Sequence, residues 1–235
     1  MESGAGNLEK PGRRWRYAAA CLIAALALGF MPAAPARAGV TLAPFKDKLF
    51  GYPKVLASNA DGSFIAVDYE KARDLEKRDQ VPEVRVWRNY VDLSPREDER
   101  RLTVKAGGHS IAVDETGNPA GARFAVIFIH GRGGDRKLGS NDWNFGGNFN
   151  RMKNLAVRNG GVYIAPSVPS FDADGAEDIA ALIAHVAVLS PNAQIVLSCA
   201  SMGSFICWRL THDEATVKRL AGMMIMGGAT DTGFL

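Results

Sequence analysis

Short apolar runs and amphipathic stretches alternate through the second half of the chain. Phe124-Ala125-Val126-Ile127-Phe128-Ile129 is apolar throughout and is bounded by His130-Gly131. A strand apolar on both faces suits a buried parallel sheet. A polar, glycine-rich loop follows from Arg132 to Gly147, and residues 148–158 predict a helix closed by Asn159-Gly160-Gly161. Val162 to Ala165 reads as a second strand. From Asp174 or Gly175 a second helix is expected, with Ile179, Leu182, Ile183, Val186 and Leu189 at core spacing, stopping before Pro191. Gln194 to Ser198 is a third strand. A third helix starts at Met202 and runs to about Leu210, with extension through Leu220 left open. Met223 to Met226 is a fourth strand, followed by Gly227-Gly228. This alternation predicts a parallel sheet covered on both faces. Ligands of such sheets sit at the C-terminal ends of the strands. Chemistry is therefore sought in the loops after Ile129, Ala165, Ser198 and Met226.

The first half has a different texture. Lys54 to Ala57, the turn Asn59-Ala60-Asp61-Gly62 and Phe64 to Val67 predict a hairpin. Val84, Val86 and Trp87 start another β-leaning run. Leu102, Val104 and Ile111 to Val113 surround Gly107-Gly108, and Asp114-Glu115-Thr116-Gly117-Asn118 is expected to be a turn cluster. The charged run Arg96 to Arg101 is expected to be a solvated loop. These N-terminal strands are expected to begin the same sheet as antiparallel partners.

The first 38 residues stand apart. Arg13, Arg14 and Arg16 precede the apolar run Tyr17 to Phe30, and Ala36-Arg37-Ala38 fits an A-x-A cleavage site. Such a pattern predicts a secretory signal peptide, with no stable membrane anchor after cleavage and a periplasmic or secreted product. The run is too short for a comfortable membrane span. Residues 39–235 are then one domain, with N-terminal β-hairpins over 39–118 and a parallel α/β core over 119–235. The whole formal excess of +3 resides in the leader, so the mature part is neutral and charge gives no argument for a nucleic-acid partner. At 47% hydrophobic and 23% charged residues, the chain is neither disordered nor a disulfide-stapled mini-protein. The mature part keeps Cys199 and Cys207, on opposite sides of the expected strand-to-helix turn, and no disulfide is expected between them. The sequence has no C-x-x-C, H-E-x-x-H or EF-hand spacing, so it names no metal, and no cofactor is expected. Gly131-Arg132-Gly133-Gly134-Asp135-Arg136 fails the dinucleotide fingerprint, which needs glycine where Arg136 stands.

Two loops carry specific chemistry. Cys199-Ala200-Ser201-Met202-Gly203 falls between a strand and a helix. A nucleophile elbow needs a serine on a sharp turn, with small residues two before and two after it. Such a turn lifts Oγ of Ser201 above the sheet and places the N–H of Met202 at a helix N-terminus, where it can stabilise an oxyanion. His130-Gly131-Arg132-Gly133-Gly134 follows the first parallel strand; there the N–H of Arg132 is the candidate second oxyanion donor, with Gly131 giving the backbone room to turn. One tetrahedral centre must touch both, so residue 201 and the Arg132 amide must lie within about 8 Å of each other.

On these motifs, residues 120–230 resemble the α/β-hydrolase superfamily, most closely its small exported serine esterases and lipases. The resemblance implies a mostly parallel sheet with helices on both faces and antiparallel N-terminal strands. It also implies Ser201 as nucleophile, an oxyanion hole from Arg132 and Met202, and ester hydrolysis through an acyl-serine. The substrate implied is a small-molecule ester. The family's order is nucleophile, acid, histidine. Asp231 is the candidate acid, but no histidine follows it. The sequence is therefore expected to lack the family's final strands and to be of doubtful activity, with a non-catalytic binding protein as the alternative. Among the four histidines, His130 is expected to be structural, supporting the site together with Gly131 and Gly203. His109 belongs to the hairpins and His185 to a helix face, and His212 falls about 16 Å along the helix axis from the nucleophile. Trp143, Phe145 and Phe149 either wall an acyl pocket or pin a long loop. Asp172 and Asp174 are expected as turn and N-cap residues. Arg132 and Arg136 are either solvated loop charges or ligands of a substrate carboxylate or phosphate.

Overall fold

The computed structural model describes Met1 and residues 40–43, 53–77, 79–80 and 85–230. The rest of the expected leader, together with Asp231, lies outside the described residues. Two small antiparallel ribbons come first, β1 (Val55–Ser58) with β2 (Ile65–Val67) and β3 (Asp79–Gln80) with β4 (Arg85–Val86). The first is the hairpin expected around Asn59 to Gly62; neither ribbon joins the main sheet.

The main sheet holds six strands: β5 (Glu99–Ala106), β6 (His109–Gly117), β7 (Phe124–Ile129), β8 (Val162–Pro166), β9 (Gln194–Ala200) and β10 (Leu220–Met226), in the order β10-β9-β7-β8-β6-β5. β7 to β10 run parallel, and β6 is antiparallel to both β5 and β8. Five helices connect them: α1 (Arg136–Gly139), α2 (Asn148–Arg158), α3 (Ala173–Leu189), α4 (Gly203–Leu210) and α5 (Glu214–Val217). The fold is thus the α/β arrangement expected, a mostly parallel sheet with helices on both faces and antiparallel strands at its N-terminal side.

Strand periodicity sorts the core into two layers. Ala125, Ile127 and Ile129 face one side with Val162 and Ile164, where they meet Ile179, Leu182 and Ile183 of α3 and Ile206 of α4. Phe124, Phe128, Tyr163 and Ala165 face the other side, against Phe149 and Ala156 of α2. Burying each large aliphatic side chain contributes roughly 1.5–3 kcal/mol, so both helical layers are held by the strands they cover. The chain leaves β7 toward β8 and leaves β9 toward β10. The two loops diverge, and the crevice between them is the topological switch point.

The third helix ends at Leu210, as expected, and the extension left open does not form: Asp213 caps the separate α5 by accepting from the N–H groups of Ala215 and Thr216. Three expectations need correction. β10 begins at Leu220, three residues earlier than its apolar core suggested. Asp114 to Gly117 is not a turn cluster but the second half of β6. Arg100 and Arg101 are not in a solvated loop but in β5; only Ser94–Asp98 before them forms a 3-10 turn. One register explains both of the last two. Arg100 lies opposite Glu115 and Arg101 opposite Asp114, so acidic and basic runs that read as solvated are cross-strand partners.

This flank carries the buried charge of the molecule. Asp114 receives Arg101 through Nε at 3.0 Å and Nη2 at 3.2 Å, and the Ser140 hydroxyl at 2.8 Å. Its burial works to raise the carboxyl pKa, but the bonds and charges of Arg101, Ser140 and Arg136 overcome it and hold it below the ordinary range. Lys153 of α2 is 1% exposed, and its ammonium reaches Asp142 at 2.7 Å, Glu99 at 3.1 Å and the Ser140 carbonyl at 2.7 Å. All three ammonium protons therefore have an acceptor. Burial opposes ionisation of Asp142 too, yet Lys153, Asn150 and Arg96 keep its carboxyl low.

Candidate active site

The loop after β9 turns within one residue. Ser201 N–H donates to the Met226 carbonyl of β10 at 3.0 Å, extending the ladder beyond β9. Its own carbonyl accepts from the N–H of Ser204 at 3.0 Å, the first turn of α4. To do both, Ser201 takes φ of +49°. A left-handed non-glycine residue of this kind costs on the order of 1–3 kcal/mol and persists only where the surroundings enforce it. Two features enforce it here, the ladder bond behind and the helix ahead. The result is an exposed serine on a strained strand-to-helix bend, the geometry a nucleophile elbow requires.

Close approach explains both supporting glycines. A Cβ on Gly203 would stand 2.6 Å from the Ile129 carbonyl oxygen and 2.7 Å from that of His130. Any side chain there would drive α4 away from β7. A Cβ on Gly131 would stand 2.7 Å from Cβ and 3.2 Å from Oγ of Ser201. The loop after β7 therefore rests directly on the serine. From that contact and standard bond lengths, the Arg132 nitrogen lies within about 7 Å of Ser201 Oγ, inside the limit one tetrahedral centre can bridge. The Gly131 carbonyl accepts from Gly134 N–H at 3.1 Å, closing a turn whose third residue, Gly133, has φ of +75°. Neither the N–H of Arg132 nor that of Met202 donates to any acceptor among the described residues. Two amide donors and one hydroxyl thus meet at the switch point.

His130 is buried and fully engaged. Nδ1 lies 2.8 Å from the Gly131 carbonyl, and Nε2 lies 3.1 Å from the Val168 N–H. A carbonyl cannot donate and an amide cannot accept, so the ring is neutral, with its proton on Nδ1. Phe171 packs edge-on against it at 5.9 Å. His130 holds the loop after β7 against the loop after β8 and has no lone pair left for Ser201. The other histidines are placed elsewhere. His109 sits on β6, three strands from β9 or roughly 14 Å across the sheet, and bonds Asp178 at 2.7 Å. His185 lies in the last turns of α3, near the opposite end of the strands. His212 follows the end of α4.

The disulfide expectation is overturned. Cys199 of β9 and Cys207 of α4 are bonded, with Cα atoms 6.5 Å apart and a sequence separation of eight. They do lie on opposite sides of the turn, but the turn is so tight that α4 folds back along β9 and brings Cys207 over Cys199. The bridge brackets Ser201 and is wholly buried. The remaining alternatives also resolve. Phe149 stacks against Phe128 at 4.5 Å and Phe145 at 5.6 Å, so the aromatic cluster pins the long loop. Arg136 faces Asp114 at 3.0 Å, and Arg132 is exposed. Asp172 caps α3 by accepting from Asp174 N–H. Not anticipated from sequence was the face of α4 that carries Phe205 and Trp208, although their spacing of three residues was there to be read.

No family model and no curated protein matches the chain. Solved structures do resemble it. Epoxide hydrolase VrEH1 from Vigna radiata is 20% identical with a TM-score of 0.38, over 55% of this chain and 40% of that one. Esterase Est22 is 14% identical with a TM-score of 0.38, over 55% and 44%. A predicted CIB-like hydrolase from Thermoplasma acidophilum is 15% identical with a TM-score of 0.42, over 57% and 65%. The chain therefore spans less than two thirds of the length of each. The chemistry of this site rests on its own geometry.

Proposed function

We propose that the chain is a serine hydrolase of small-molecule carboxylic esters. Ser201 is the nucleophile, the N–H groups of Met202 and Arg132 form the oxyanion hole, and Asp231 is the candidate acid. The observation that carries this reading is the left-handed Ser201 with Gly131 packed on its hydroxyl. In the reaction, Oγ attacks the ester carbonyl and the tetrahedral oxyanion forms between the two amides. The alcohol then leaves, and water releases the acid from the acyl-serine. None of the four histidines is placed to serve Ser201 as general base. An exported chain cleaved after Ala38 is part of the same proposal.

That placement of the histidines favours a second reading, a protein that uses the same crevice to bind a ligand without turning it over. A fluorophosphonate probe separates the two. Stoichiometric labelling that disappears in Ser201→Ala supports the hydrolase. Folded protein that takes up no probe overturns it in favour of the binder.

A further inference from the structure

A cavity of about 480 Å³ lies along one face of α4, the helix that follows the Ser201 bend. Phe205, Trp208 and Arg209 share one face of α4, and His212, just past its end, lines the same cavity. Phe171, from the loop after β8, forms the facing wall, and the loop after β10 closes the side. The cavity is thus bounded by two of the loops at the C-terminal ends of the parallel strands, where ligands of such sheets bind.

Its walls are aromatic and its walls are fixed. Trp208 donates its indole N–H to the Ala229 carbonyl at 2.7 Å, which sets the plane of the ring. Phe171 is held by its edge contact with His130. Phe205 is 45% exposed, an apolar ring kept at the cavity mouth without a covering side chain among the described residues. Two charges bear on the choice of ligand. Asp172 turns its carboxylate into its own loop, where it accepts from the Ser170 hydroxyl and the Asp174 N–H. Arg209 makes no ion pair or side-chain hydrogen bond among the described residues, so its guanidinium is the free charge of the cavity. Eight residues of helix place it about 12 Å along the axis from Ser201.

We propose that this cavity binds an elongated aromatic carboxylate, its rings between Phe171, Phe205 and Trp208 and its carboxylate on Arg209. The proposal rests on the Ser201 reading only for the direction of the substrate. With Ser201 as nucleophile, the preferred ester carries a free anionic group about 12 Å from the scissile carbonyl, beyond an aromatic body. A guanidinium donates two parallel N–H bonds to a carboxylate, a pair that a neutral alcohol with its single oxygen cannot accept.

Calorimetric titration of the full chain as Ser201→Ala tests the cavity apart from the chemistry. Biphenyl-4-carboxylate is expected to bind about tenfold tighter than both biphenyl-4-methanol and cyclohexanecarboxylate. Arg209→Gln should erase the preference for the carboxylate while leaving the alcohol within twofold. Phe205→Ala should weaken both biphenyls several-fold. Absence of binding, or a carboxylate preference that survives Arg209→Gln, overturns the proposal. If wild type takes the fluorophosphonate probe and no biphenyl binds, only the cavity assignment fails. If biphenyl-4-carboxylate binds as expected and no probe is taken up, only the nucleophile assignment fails.

Discussion

The elbow at Ser201 and the charged flank around Lys153 are built on opposite principles. At the elbow, stability is given up for position. A serine sits at φ of +49°, two glycines allow backbones to touch, and two amides are left without acceptors. On the flank, position serves stability. Every proton of a buried ammonium is matched by an oxygen, and the Asp142 carboxylate it meets is held ionised by the surrounding donors. The lesson concerns what a substitution reports. On the flank, stability and structure should fall together. At the elbow, stability and reactivity should move apart.

The largest effect is expected at Lys153. Lys153→Met leaves Asp142 and Glu99 facing an apolar side chain, with Asp142 3% exposed. Breaking a buried pair from one side costs about 3–5 kcal/mol, because the remaining charge is uncompensated. Urea unfolding should show that loss, and adding Asp142→Leu should recover a large part of it. Probe labelling per folded molecule should be unchanged, since the network lies across the sheet from Ser201. A cost below about 1 kcal/mol, the range of exposed pairs, would remove the distinction between the two regions.

Ser201→Gly sharpens the contrast from the other side. Glycine takes positive φ without a Cβ penalty, so relief of the strained bend should stabilise the fold by about 1 kcal/mol. Labelling should vanish in the same variant. A destabilised Ser201→Gly would mean that the hydroxyl, and not the backbone geometry, holds the turn.

The two regions also differ in how far sequence could reveal them. The elbow was legible, because its demands are local: small residues flanking a serine between an apolar strand and a helix, and a glycine-rich loop after an earlier strand. β7, α2, α3 and most of β9 were legible for the same reason, since periodicity and caps are written within each segment. The flank was not. Asp114, Glu115, Arg100 and Arg101 have low strand propensity on their own, and only their register across β5 and β6 makes a strand of them. Burial of Lys153 likewise needs Asp142 and Glu99, residues distant in sequence. The Cys199–Cys207 bridge was missed because separation across a turn was read as separation in space. The strand order, with β7 between β8 and β9, has no local signature at all.

The smallest effect tests the flank's one exception. Burial pushes the Glu115 carboxyl above its ordinary range, and Arg100, at 2.8 Å, only partly opposes it. The direction is opposite to that of Asp114 and Asp142. A carboxyl held low contributes stability that is present above its unfolded pKa and lost as pH falls through the folded value. A carboxyl held high contributes in the reverse sense: its stability is full below the unfolded pKa, about 4.3, and is lost as pH rises through the folded one. Glu115→Gln removes that loss and keeps an oxygen for Arg100, which also bonds the Gly117 carbonyl. The variant should therefore match wild type near pH 4 and gain on it by about 0.5 kcal/mol at pH 7, a change of ordinary size for a single polar substitution. Denaturant unfolding at the two pH values reads the difference directly. A gain that is equal at both, or a loss at pH 7, would mean that Glu115 is ionised and as well paired as Asp142, and the flank would then have no exception.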